Sequence, residues 1–454
     1  MRSALASLVL VGLLAEAPAF ANGRDPYTST INFKRGSNND ILAGMTFGLV
    51  ITHDGGATWE WMCERAVGYG GMYDPDYAYS SSDAVFATTF DGLKVMRDRC
   101  SYNATPPGMT FVSKVEIGPD NAVYFAAADQ NDGKIYKSTN DGMTFPTSAA
   151  PGQAGDWWSS LAVAPSDPSR VYLTGYRLVG TNPKQFLLFK SIDGGASFSA
   201  MSMTNITPTS ANSIIEVVGI SSTNADELYI KVTFENGASG DSIYKSTNAG
   251  GTWTKILTKS SNFGLAFLKR KDGTCIAGTR ELGAWQSSGC TSTWTDLTTA
   301  PHIGCLAQDS NGVVFACTQN YASPQLGITS DEYGIMKTTD LVTWTGVLRY
   351  QDIKGPVTCA ATTVQAEQCV EPYNGQSSVW CCLVSQLGVT SMPVDCTGDR
   401  ACFGVIVDGL PSDGGTVVTK PKGCCQNSTA GPPTLLTLLV ALPLLRRRRR
   451  AKEK

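Results

Sequence analysis

Two short stretches place carboxylates beside aromatic rings. Gly68-Tyr69-Gly70-Gly71-Met72-Tyr73-Asp74-Pro75-Asp76-Tyr77 sets two acids two residues apart among tyrosines. Residues at that spacing on an extended segment share a face. Asp156-Trp157-Trp158 sets one acid before two indoles. Aromatic faces stack on sugar rings, and carboxylates bond sugar hydroxyls; the same mixture also suits a protein-binding patch. Rings of this size pack inside folds as well. A more active chemistry is open too, because two carboxylates flanking a glycosidic bond can hydrolyse it. Asp74, Asp76, Asp156 and Asp331 are the candidates for that role. The candidate binding residues are Tyr73, Asp74, Asp76, Tyr77, Asp156, Trp157, Trp158 and His302.

Other chemistries find little material. The only histidines are His53 and His302, which leaves Ser-His-Asp catalysis poorly supplied. The sequence has no G-x-S-x-G elbow, H-E-x-x-H, phosphate loop or EF-hand loop. No C-x-x-C pair occurs either, so zinc is not expected; no cofactor is expected at all.

What must position these residues is a repeat. The stretch Ser246-Thr247-Asn248-Ala249-Gly250-Gly251-Thr252-Trp253 reads S-x-D/N-x-G-x-T-W, and it recurs at Thr52 to Trp59, Ser138 to Phe145 and Ser191 to Phe198. Worn copies stand at Ser287 to Trp294, at Thr338 to Trp344 and around Asp98. The positions equivalent to the acid are 54, 98, 140, 193, 248, 289 and 340, a period that fits propeller blades better than helical solenoids. Each copy reads as a tight turn: the acid or amide accepts downstream backbone N–H groups, and glycine supplies a conformation closed to other residues. The ring that follows plugs the gap between sheets. A second polar turn precedes each copy, as at Asn39-Asp40, Asp120-Asn121 and Asn311-Gly312. Two hairpins per repeat make four strands, so seven repeats predict a seven-bladed β-propeller of four-stranded antiparallel blades. In such a ring the loops leading into the innermost strands surround one mouth, opposite the recurring turns. The tyrosine-glycine loop leads into blade two, Asp156 into blade four and His302 into blade seven.

The repeated turns resemble the Asp-box (BNR) repeats of sialidases, sortilin-type receptors and xyloglucan-degrading glucanases, over about Tyr27 to Leu348. The resemblance implies the fold and says little of activity. Sialidases of that group carry an arginine triad and an Arg-Ile-Pro motif. The nearest stretch, Asn32-Phe33-Lys34-Arg35-Gly36, lacks the motif, so sialidase activity is not expected.

The two ends supply an address. Residues 1–21 read as a signal peptide: Arg2, an apolar run Ala4 to Leu14, and Ala19-Phe20-Ala21 for cleavage. The chain carries 36 basic and 39 acidic side chains. Without the neutral leader and the strongly basic tail after Cys425, the remainder stands at −9, a poor match for nucleic acid. Fourteen cysteines in an exported chain predict disulfides. Cys305 and Cys317 flank a hairpin turn and are expected to pair; Cys63 with Cys100, and Cys275 with Cys290, are expected from proximity along the chain.

The propeller is assigned to 22–355. A Cys-rich module follows at 356–410, then a linker with a Cys-Cys pair at 411–433 and a hydrophobic segment with an Arg-rich end at 434–454. The order Cys424-Cys425, Leu435 to Leu445, Arg446 to Arg450 resembles the myxobacterial sorting signal MYXO-CTERM. That resemblance implies cleavage by a sorting protease and retention at the surface of a Gram-negative cell, with membrane contact through this segment only. The favoured expectation is a surface-anchored, non-catalytic propeller that binds a polysaccharide or a protein. The alternative is a secreted glycoside hydrolase with two carboxylates at the mouth.

Overall fold

The computed structural model describes residues 26–389, apart from 71–72, 107, 109–110, 129–132, 179–183, 204–205, 207, 236–239 and 372–377. The expected signal peptide, the end of the Cys-rich module, the linker with Cys424 and Cys425, and the Arg-rich segment lie outside the described residues.

Seven blades, each of four consecutive antiparallel strands, follow one another along the chain. Blade one is Thr28–Phe33, Ile41–Met45, Gly48–Thr52 and Glu60–Met62; blade seven is Cys305–Gln308, Val314–Cys317, Ile335–Thr338 and Thr345–Leu348. The first strand of each blade touches the first strands of its two neighbours, and that of blade one touches that of blade seven. The chain is therefore a closed seven-bladed β-propeller. Inner strands of the blades are buried on both faces, as the fully buried Ile41–Met45 and Val123–Ala127 show. That is why the second strands read as continuous apolar runs rather than as alternating ones.

The recurring turn stands between the third and fourth strands of every blade. In blade one the Thr52 hydroxyl donates to Asp54 (2.7 Å) and accepts the Gly56 N–H (3.1 Å). Asp54 in turn accepts the Thr58 N–H (2.9 Å) and hydroxyl (2.7 Å). Asn140 and Asn248 reproduce the last two bonds by accepting the N–H through the amide oxygen and donating from the amide nitrogen to the threonine hydroxyl. The glycine two positions after the acid is left-handed in four blades, for example Gly56 at φ +97° and Gly250 at +89°. A side chain there would also strike the neighbouring blade: a Cβ on Gly142 would lie 2.4 Å from the Phe86 ring. Both demands exclude every residue but glycine.

The four antiparallel strands of each blade come from one run of chain, and only the sheet of blade one gains a further strand, from beyond blade seven, among the described residues. Closure rests on packing and on the segment after blade seven. The Phe33 and Phe315 rings meet edge to face at 5.0 Å, and Trp59 donates to the Val347 carbonyl. Gly355–Pro356 then pairs in parallel with Glu60–Trp61 at the outer edge of blade one. Trp380, fully buried, packs 5.2 Å from Trp61. Gln365 bonds the backbone of both Cys63 and Trp61.

Disulfides fasten this strap. Cys63 is bonded to Cys369 and Cys100 to Cys359, so the expected Cys63–Cys100 pair is corrected. The physical reason is ring closure, which brings a segment some 300 residues away in sequence closer than the next blade's cysteine. Cys275 is bonded to Cys290 and Cys305 to Cys317, the latter between directly opposed residues of one hairpin. Cys381 and Cys382 are disulfide-bonded too.

Candidate functional site

In a four-stranded meander the first and third connections lie at one end of the blade. The second connection and the link to the next blade lie at the other. The face opposite the recurring turns is thus made of irregular loops, and most sequence-derived candidates fall there.

The structure separates those candidates. Tyr77 is 3% exposed and lies in the core shared by blades one and two. Trp158, also 3% exposed, donates its indole N–H to the Gly133 carbonyl (2.7 Å) and packs edge to face on Phe189. Both are packing residues. Asp156 is fully buried and takes a bidentate pair from Arg177 (2.6 and 2.8 Å) plus the Gln153 N–H. Asp331 is closed off by His302, through ring Nδ1 (2.9 Å) and backbone N–H, and by the Gln319 N–H (2.8 Å). These two acids brace loops.

Tyr73 and Trp157 belong to something larger. The Tyr73 ring lies 4.7 Å from Phe90, Phe90 stacks on Phe111 at 5.3 Å, and Phe111 lies 6.4 Å from Trp157. Phe90 is 53% exposed. Four rings from four separate segments form one aromatic ribbon across blades two to four. The Tyr73 hydroxyl is anchored on Thr88 (2.7 Å) and the Val112 carbonyl, and burial pushes its phenol up to about 12. Phe90 and Phe111 were not singled out from sequence; each is the single ring of its loop, and only Phe90 has an acid, Asp91, beside it.

Asp76 immediately precedes Tyr77–Tyr79, the innermost strand of blade two, and Asp74 lies two residues earlier; both are half-buried. The backbone of Asp76 is pinned to Thr88, and its carboxylate accepts the Val115 N–H of blade three at 3.1 Å. Burial raises its pKa, with Glu216 adding to the rise and Lys114 opposing it.

Around it is a charged layer that sequence reasoning missed. Lys114 and Glu116 alternate along Val112–Ile117, the innermost strand of blade three. Glu216 lies on Ile215–Ile220, the innermost strand of blade five, and pairs with Lys231 at 3.1 Å. These side chains keep some accessible surface, but on innermost strands that surface opens on the channel, with protein on every side. Burial pushes Glu116 up to about 8, helped by Asp76 and opposed by Arg35 and Lys114. Burial acts upward on Glu216 too, but Lys231 and Lys114 outweigh it and hold its carboxyl below the usual range. Asp241 accepts the Phe234 and Leu265 N–H groups and is raised by burial. The available signal was a charge inside a strand that should be apolar: S-K-V-E and I-E-V-V. Among the described residues no three His, Cys, Asp or Glu side chains converge as metal ligands would.

No family model matches the chain. A xyloglucanase of Hypocrea jecorina (strain QM6a) is 26% identical over 246 residues, which covers 52% of this chain and 25% of the enzyme. The chain thus spans about a quarter of the length of that relative. Among solved structures, a GH74 enzyme of Niastella koreensis matches with TM-score 0.41 and 14% identity, over 72% of this chain and 65% of that one. The GH74 xyloglucanase of Xanthomonas campestris matches with TM-score 0.36 and 14% identity, over 70% and 57%. The likeness to the curated xyloglucanase overturns the expectation of a non-catalytic binding protein and favours its alternative, a glycoside hydrolase.

Proposed function

We propose that the protein is a glycoside hydrolase acting on a polysaccharide laid across the face opposite the recurring turns. The observation that carries this reading is the ribbon Tyr73–Phe90–Phe111–Trp157, whose Tyr73 hydroxyl shares the Thr88 hydroxyl with the backbone of the half-buried Asp76. Its rings form a continuous aromatic surface at the mouth, of the kind on which sugar rings pack. Burial raises the Asp76 pKa, which favours the acid form that glycosidic cleavage needs. The relative's name supports a xyloglucan-type glucan as first substrate. Release of reducing ends from xyloglucan and a panel of glucans tests the reading, with Asp76→Asn as control; no release from any of them ends it.

Export and surface retention belong to the same proposal. The disulfides need an oxidising compartment, in keeping with a signal peptide at 1–21. The turns are read as Asp-box (BNR) repeats and residues 424–454 as a MYXO-CTERM-type signal cut by a sorting protease at Cys424 or Cys425, on a Gram-negative surface. Intact-mass measurement of the cell-surface protein decides this, and Arg446–Arg450 still attached would refute it.

A further inference from the structure

We propose that the turn face carries a binding site for a tetrahedral oxyanion, a phosphate or sulfate group, in the cleft where the ring closes. It lies on the face opposite the mouth and does not depend on the hydrolase reading. The cleft holds about 400 Å³. Its walls are the first hairpins of blade one (33–38) and blade seven (308–310), with Lys271 from the first hairpin of blade six. Three cations line it, Lys34, Arg35 and Lys271, against one acid, Asp309. Asp309 is 5% exposed, and its carboxylate accepts the Val313 N–H of its own hairpin (2.8 Å). Lys34 is paired with Asp83 of blade two at 2.5 Å.

Arg35 and Lys271 have no ion pair among the described residues. Elsewhere in the chain Arg97, Arg99, Arg170, Arg177, Arg270 and Arg349 each lie on a carboxylate. Arg35 instead reaches past blade two, where Nη1 donates to the Ile117 carbonyl of blade three (3.4 Å). Lys271 Nζ meets the Asp309 and Ser310 carbonyls (3.4 and 3.2 Å). A guanidinium has five N–H donors and an ammonium three, so both cations keep donors for a ligand. Glu116, the acid that Arg35 acts on, is pushed up to about 8 by burial and keeps its proton at neutral pH; it does not neutralise the guanidinium. A guanidinium takes an oxyanion through two parallel N–H bonds and an ammonium takes it as a point charge. The place gives the anion a further effect. At this end of the seam Asn38 of blade one accepts the Ser310 N–H (3.1 Å) and hydroxyl (2.9 Å) of blade seven. An oxyanion held by Arg35 of blade one and Lys271 of blade six fastens blade seven between its neighbours. Because only the closed ring presents the site, the ligand stabilises the fold by mass action.

The test is calorimetric titration of the full chain at low ionic strength, with inorganic phosphate and, separately, with glucose 6-phosphate. Saturable binding of inorganic phosphate and a rise in Tm with its concentration are expected. Tighter binding of glucose 6-phosphate assigns the site to a phosphorylated sugar, and equal or weaker binding assigns it to the free ion. Arg35→Gln and Lys271→Met are each expected to weaken phosphate binding about tenfold or more and to abolish the rise in Tm. Lys271 is exposed, so Lys271→Met is decisive if Arg35→Gln does not fold. Lys190→Met, on the third strand of blade four, is expected to change the affinity by less than about twofold. A wild-type protein with no saturable phosphate binding at millimolar concentration overturns the site. So does binding that Lys271→Met leaves intact, or that Lys190→Met weakens to the same extent, since diffuse surface charge then accounts for it.

Discussion

The two faces of the ring treat the same residue type in opposite ways. On the turn face Asp54 is exposed and saturated with donors. The Thr58 hydroxyl first, then Thr52 and the Thr58 N–H, hold its carboxyl at about 2. Asp193 and Asp340 are held at about 2 in the same manner, by Ser197 and by the Thr343 N–H respectively. On the mouth face Asp76 accepts backbone N–H groups of Val115 and Tyr77, yet burial still raises its pKa. One face is a set of repeated, self-satisfied turns whose charge is part of the fold. The other carries acids whose partners come from distant segments, around loops that range from two residues, 46–47, to seventeen, 318–334. Repetition builds the ring, and departure from repetition builds the site.

That contrast can be broken at several points. The largest effect is expected from Asp76→Asn: a loss of about 100-fold or more in glucan hydrolysis, while Asp54→Asn leaves the rate unchanged; kcat on xyloglucan measures both. Next, Cys63→Ser with Cys369→Ser removes one clasp of the closing strap and is expected to lower unfolding free energy by about 2–5 kcal/mol, read by denaturant titration. Asp54→Ala deletes the bonds to Thr52 and Thr58 and is expected to lose about 1 kcal/mol. Asp54→Asn is expected to be close to neutral, since Asn140 and Asn248 perform the same task in their own blades.

The pH dependence sharpens the comparison through its sign. Glu116 is raised on folding, so its stabilising contribution is complete below its ordinary value near 4.5 and is lost as pH climbs to about 8. Glu116→Gln is expected to flatten the fall of Tm over that range. The turn carboxylates are depressed. Their contribution is present above about 4 and is lost as pH falls toward 2, with a small amplitude because they are exposed to solvent. The smallest change in stability is expected for Phe90→Ala, within about 0.5 kcal/mol at so exposed a position. Its effect belongs to the ribbon: weaker xyloglucan binding by about 1 kcal/mol, measured by calorimetry.

Adjacent residues show how much of the site was readable. Trp157 and Trp158 are indistinguishable as letters, yet one joins the ribbon and the other is sealed in the core. Strand alternation separates them, and the irregularity between Trp158 and Ser160 decides which is which. Among the four acids weighed for catalysis, Asp156 and Asp331 looked no different from Asp76. Their partners, Arg177 and His302 with Gln319, come from other segments, so only folding reveals that they are taken.

The number of blades, the strands in each and the place of every turn were determined along the chain itself, because a tight turn is satisfied by residues within four positions of its own acid. The partners of Cys63 and Cys100, the aromatic ribbon, and the seat of Asp76 on the Val115 N–H were decided only when the ring closed. Those contacts join segments tens to hundreds of residues apart. Loops that surround an axis acquire their neighbours from the closure, and no local pattern encodes them.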